Sequence, residues 1–176
     1  MYRSTRSFIS DRQEYCRHEL KTVQVQPRGR KNSKKCCDNA IDECQKSSEV
    51  RLISGWTITP VDPYENTVAI VQHWWNQGYD SFYFDSTLEM NKASEYVVDL
   101  DLLDFAATNE SVIDNNVAIS LLKIAGNYYG VDEDESGVNH FKIPSLETSV
   151  LYRQAQFNEL ITFRAMPSYP ALALCR

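Results

Sequence analysis

No stretch of this 176-residue chain comes near the ~20 consecutive apolar residues that a bilayer-spanning helix needs. The first residues, Met1-Tyr-Arg-Ser-Thr-Arg, are followed by no apolar run long enough for a secretory signal. A C-x-x-C pair is missing, and so is an even number of cysteines. Cys16, Cys36, Cys37, Cys44 and Cys175 make five, which no complete set of intramolecular disulfides can use. These absences predict a soluble, non-exported, cytoplasmic protein whose thiols stay free in a reducing compartment. The adjacent pair Cys36-Cys37 and the six-residue gap before Cys44 also miss the spacing of zinc ligands, so no metal or organic cofactor is expected. The four carboxylates from Asp132 to Glu135 lack the alternating ligand spacing of an EF-hand and read as a solvated acidic loop, Val131 to Gly137. Internal repeats are absent as well.

What is present is enough apolar material for a core: 43% hydrophobic residues, 11% aromatic. The length suits one compact domain. The net charge of −6 is unevenly spread, with residues 1–35 at +7 and residues 36–176 at −13. A basic arm on an acidic body suits contact with a protein partner or nucleic acid, or the arm lies on the body itself. Tyr2, Phe8 and Tyr15 are the arm's few aromatics, so nucleic acid ranks last among these.

Within the arm, Ser10 with Gln13 resembles a capping box and predicts a short helix over 11–20. Lys21 to Pro27 alternates like a short strand. After a polar loop, Asn32 or Ser33 can cap a helix running to about Ser47, with Cys36 in its first turn and Cys37, Ala40, Ile41 and Cys44 on one side. The period then changes to two. Arg51–Thr59, Thr67–Trp75, Ser81–Asp85 and Ser94–Leu100 read as four strands, and short connections favour an antiparallel meander. From Asp101 the pattern turns helical: Val112, Ile113, Val117, Leu121 and Ile124 recur at helical spacing up to Gly126, and 145–160 holds one more helix. The tail 167–176 is apolar and suits docking on the body or a partner.

Three residue types needed for one chemistry fall between Cys36 and Thr87. A thiol at a helix start is favoured as thiolate by the partial positive charge there. An imidazole, His73, closes one strand and can shuttle the proton; a carboxylate, Asp85, closes the next and can orient the imidazole. Cys37 competes with Cys36 for the nucleophile role. For the three to meet, His73 and Asp85 must project from the sheet face that the helix covers. His73 shares its face with Ala69, Val71 and Trp75, and Asp85 with Tyr83. His18 and His140 have no such partners and read as structural or surface residues.

The same residues carry a resemblance. Cys36-x-x-Asn39-Ala40 at a helix start, Gly55-Trp56 in the next strand, His73-x-Trp75, then Asp85-x-Thr87 resemble the transglutaminase-like branch of the papain-like fold, in its small stand-alone bacterial and phage form. The resemblance covers about residues 34–100. It departs from the family where Ser86 stands for a common proline and Lys35 for a glycine, and no side-chain oxyanion donor is evident beyond Gln26. It implies a Cys36–His73–Asp85 triad, with Asn39, Trp56, Trp75 and Thr87 supporting or walling the site. It also implies acyl transfer on a protein or peptide amide: hydrolysis, deamidation or transamidation.

The expected architecture is therefore α+β, a nucleophile-bearing helix packed on an antiparallel sheet of four or more strands with further C-terminal helices. The expected organisation is a basic arm (1–35), a single domain (36–166, papain-like core about 34–100 and helical extension 101–166) and an apolar tail (167–176). The rival function is a non-catalytic interaction or assembly protein that uses the arm or the tail, and nucleic-acid contact through the arm is the third.

Overall fold

Strand β4 (Thr67–Gln77) is the axis of the fold, and its residues from Ile70 to Asn76 are all buried. A strand buried on both sides must be covered on both, and the computed structural model shows how. It describes residues 1–31, 35–62, 67–87, 94–109, 118–134 and 137–155. The remaining elements are α1 (Arg3–Gln13), β1 (Lys21–Val23), β2 (Val25–Lys31), α2 (Cys36–Lys46), β3 (Arg51–Asp62), β5 (Tyr83–Thr87), β6 (Glu95–Val98), α3 (Leu100–Thr108), β7 (Ser120–Ile124), β8 (Asn127–Asp134) and β9 (Gly137–Lys142). A last helical stretch covers 148–155. The protein is thus α+β, with helices on a largely antiparallel nine-stranded sheet. No described helix is long and apolar enough to cross a membrane.

β3 and β4 form a long antiparallel hairpin in which Gly55 faces His73 and Trp56 faces Gln72. Alternation sends Trp56, Ile58, Ile70 and Trp74 to one side, where they form the main core with Phe8 of α1, Cys36, Cys37 and Ala40 of α2, and Leu102 and Ala106 of α3. Ile53, Trp75 and Val98 point to the other side. That side is closed by the sheet itself. β6 pairs β3 and β1, β5 pairs β4 and β2, and β1 and β2 follow one another in the chain. Residues 21–31 therefore link the two margins and roll β6-β3-β4-β5 into a small ring. The β2–β5 pair is parallel; the other pairs are antiparallel.

Four expectations change. Residues 1–31 are not a unit apart but lie on the body, one of the placements open to the basic arm: Phe8 and Arg12 are fully buried, and β1 and β2 close the ring. The helix expected to end near Gly126 is a strand over Ser120–Ile124 that pairs β4, Ile70 against Leu121; Val112, Ile113 and Val117 lie outside the described residues. Residues 131–134 of the expected acidic loop are strand, paired with residues 137–140, Glu135 and Ser136 lying outside the described residues, so strands stand between α3 and the 148–155 helix where the helical extension was expected to continue. The helix expected over 11–20 is instead Arg3–Gln13. The 167–176 tail lies outside the described residues.

Candidate active site

β4 changes neighbours along one edge. Val68 to Val71 pair β7, and Asn76 and Gln77 pair β5. His73 lies in the interval between, and its side chain points into the ring. There its Nε2 meets Asp85 Oδ2 at 2.6 Å, with both residues essentially inaccessible to solvent. The ring of His73 stacks on Trp75 (6.1 Å, 19°) and meets the edge of Tyr96 (6.1 Å, 68°). Gly55, opposite His73, leaves room for this: a Cβ there would strike the Val97 carbonyl oxygen and lie 2.7 Å from the Trp75 ring.

Asp85 is held by more than its histidine. Its Oδ1 accepts from the Thr87 N–H at 2.8 Å and its Oδ2 from the Tyr96 hydroxyl at 3.1 Å. Burial works to raise its pKa. The hydrogen bond and charge of His73, with the Thr87 backbone and hydroxyl, outweigh that and hold it below the ordinary value. Asp85 is therefore the acceptor, and His73 carries its hydrogen on Nε2. The Trp75 indole N–H, fully buried beside the pair, has no hydrogen-bond partner among the described residues.

Cys36 is the first residue of α2, after Lys35 as N-cap; Asn32 and Ser33 lie outside the described residues. Lys35 makes no side-chain cap, and its ammonium pairs with Asp38 at 3.4 Å. The helical ladder starts with the Asn39 N–H on the Lys35 carbonyl, so the N–H groups of residues 36–38 precede it. α2 is pinned to the sheet by polar contacts. Asn76 Nδ2 donates to the Ala40 carbonyl at 2.9 Å and the Ser86 hydroxyl to the Asn39 carbonyl at 3.4 Å. Asn39 Nδ2 donates to the Thr87 hydroxyl at 3.4 Å. That last bond joins the helix side to the residue whose N–H holds Asp85.

The facing of the sheet differs from expectation. Cys36, Cys37 and Ala40 pack with Trp56 and Trp74, whereas His73 and Asp85 point to the opposite side, into the ring. The link from α2 to the pair runs around the end of β5, from Asn39 to Thr87 to Asp85, rather than across one face. Trp56 is not a wall of the pair: it lies on the helix side, edge-on to Phe8 at 5.4 Å, with its indole N–H on Asp99 at 2.8 Å. Gln26 is exposed and paired with Phe84. Cys37 is buried, which pushes its thiol up to about 12, with Cys36 and Asp38 adding to the effect. Tyr96 was not singled out by sequence; its place opposite Thr57 on β6 becomes visible only with the strand register.

A second polar cluster, Cys16, Asp99 and Asp101, has its oxygens within 4.8 Å of the thiol and of one another. Those oxygens are already engaged: Asp99 by Arg12, Trp56 and the Leu102 N–H, and Asp101 by Arg17 and the His18 N–H. It reads as a structural staple. His18 Nδ1 sits 3.3 Å from Asp101. No family model matches the chain, and no curated protein and no solved structure does either.

Proposed function

We propose that the protein is a cysteine-dependent acyl-transfer enzyme acting on a protein or peptide amide, with Cys36 as nucleophile, His73 as general base and then acid, and Asp85 as orienter. The observation that carries this reading is the buried His73–Asp85 pair at 2.6 Å, set at the end of β5 where the first turn of α2 is tied down. With Nε2 held by the carboxylate, Nδ1 is the nitrogen that exchanges a proton with the thiol. Cys36 Sγ attacks the amide carbonyl while its proton passes to Nδ1. The tetrahedral oxyanion collapses, the C–N bond breaks, and the same proton leaves on the amine. Water or a second amine then attacks the thioester, giving hydrolysis or transamidation. The N–H groups of residues 36–38 are suited to the oxyanion. Cys37, held protonated by burial, is the weaker nucleophile candidate.

The test is alkylation of the folded chain by iodoacetamide at pH 7, with peptide mapping. Cys36 is expected to react at least about tenfold faster than an ordinary thiol, and His73→Gln to remove the excess. A rate at Cys36 no higher than that of an ordinary thiol overturns the assignment. A fast Cys37 with a slow Cys36 exchanges the two.

A further inference from the structure

Inside the ring, two donors from different strands converge on one carboxylate oxygen. His73 Nε2–H and the Tyr96 hydroxyl both reach Asp85 Oδ2, at 2.6 and 3.1 Å, while the Thr87 N–H holds Oδ1. Tyr96 comes from β6, on the far side of β3 and β4 from β5. Its ring is fixed edge-on to Trp75 at 5.3 Å and 84° and packs against His73. Tyr96 is half-buried, and its hydroxyl is directed at the carboxylate.

We propose that Tyr96 is a positioning residue for this pair: its hydroxyl fixes Asp85 Oδ2 and draws off part of its negative charge, and so sets how tightly His73 holds its proton. This deepens the acyl-transfer reading and rests on it for its role in catalysis. An oxygen shared by two donors gives less to each. Remove the hydroxyl and the imidazole has Oδ2 to itself, the His73–Asp85 bond tightens, and the imidazolium is favoured. A proton held harder is returned more slowly to the leaving amine, and a carboxylate with one fewer restraint orients the ring less well.

Tyr96→Phe isolates the hydroxyl, because it keeps the ring and its edge contacts. The readout is the proton resonance of His73 Nε2–H in the full-length, nitrogen-labelled chain, together with the pH midpoint of the His73 ring signals. In Tyr96→Phe the resonance is expected to move downfield and the midpoint upward, and Cys36 alkylation at pH 7 not to slow, because a more basic imidazole keeps more of the thiol ionised. A fluorinated tyrosine at position 96, a stronger donor of nearly the same shape, is expected to move the resonance the other way. A resonance indifferent to both replacements overturns the proposal, even with Cys36 alkylating fast. A resonance that follows both, in a chain whose Cys36 is slow, sustains the tuning by Tyr96 and removes the acyl-transfer reading instead.

Discussion

Two carboxylates are buried in this sheet, Asp99 on the helix side and Asp85 inside the ring, and each draws on the same three kinds of donor. Asp99 takes a backbone N–H (Leu102, 3.3 Å), an aromatic donor (Trp56 Nε1, 2.8 Å) and a cation (Arg12 Nε, 2.9 Å). Asp85 takes a backbone N–H (Thr87), an aromatic donor (the Tyr96 hydroxyl) and, where Asp99 has its guanidinium, the imidazole of His73. The difference lies in the cation. A guanidinium never releases its proton in a protein, and Arg12 also donates to the Leu146 carbonyl and to the Thr148 hydroxyl, so its charge serves to join α1 to the chain around 146–148. An imidazole releases its proton near neutral pH. The same arrangement is thus a staple on one side of the sheet and, in the function proposed above, a proton-handling pair on the other.

The largest effect that would sharpen this contrast is on the staple. Arg12→Leu leaves Asp99 buried without its cation and is expected to cost about 3–5 kcal/mol in urea unfolding, with loss of the α1 docking. A cost under about 1 kcal/mol would mean that Asp99 does not need the charge, and the two sites would differ in kind rather than in cation. Next in size is a substitution aimed at the ring alone. Gly55→Ala places a methyl against the Val97 carbonyl and the Trp75 ring, not against the helices. It is expected to cost about 1–3 kcal/mol and to disturb the His73 ring signals while leaving those of α1 in place. Equal disturbance on both sides would show that the ring and the helix layer are not separable.

The sequence carried the hairpin and the site strands well, for physical reasons that fail elsewhere. Alternation over Arg51–Thr59 and Thr67–Trp75 states which residues share a side, and His73 with Trp75 follows from it. It does not state which side a helix covers. That depends on residues 21–31 closing the ring, a long-range pairing with no local mark. The arm was read from its charge, yet Phe8 and Arg12 lie four apart on one helix face and both are buried. β7 was read as helix because Val117, Leu121 and Ile124 fit a helical period. Pairing of Leu121 with Ile70 overrides it, and a two-residue turn with positive φ at Ala125 (48°) and Gly126 (86°) joins β7 to β8. Gly126 marks such a turn in sequence; Ala125 disguises it. Tyr96 needed the register of β6 before its hydroxyl could be placed on Asp85.

The smallest effect is the most diagnostic, because it asks whether Asp85 is charged. Burial pushes its pKa up, while His73 and Thr87 pull it below the ordinary carboxylate value, and the pull wins. A carboxylate whose folded pKa is lowered stabilises the fold at every pH above its unfolded value, about 3.9, and loses that contribution as pH falls through the folded value. Asp85→Asn keeps the shape but replaces the charge. The native chain is therefore expected to exceed it by about 1–2 kcal/mol in urea unfolding at pH 5. That margin should shrink steadily as the pH is lowered below about 4. Should it persist undiminished at pH 3, Asp85 would be neutral in the folded chain and would donate to His73 instead of accepting from it. The hydrogen on Nε2 would then be gone, Nδ1 could not take a thiol's proton as proposed, and the pair inside the ring would be a second staple like Asp99 and Arg12.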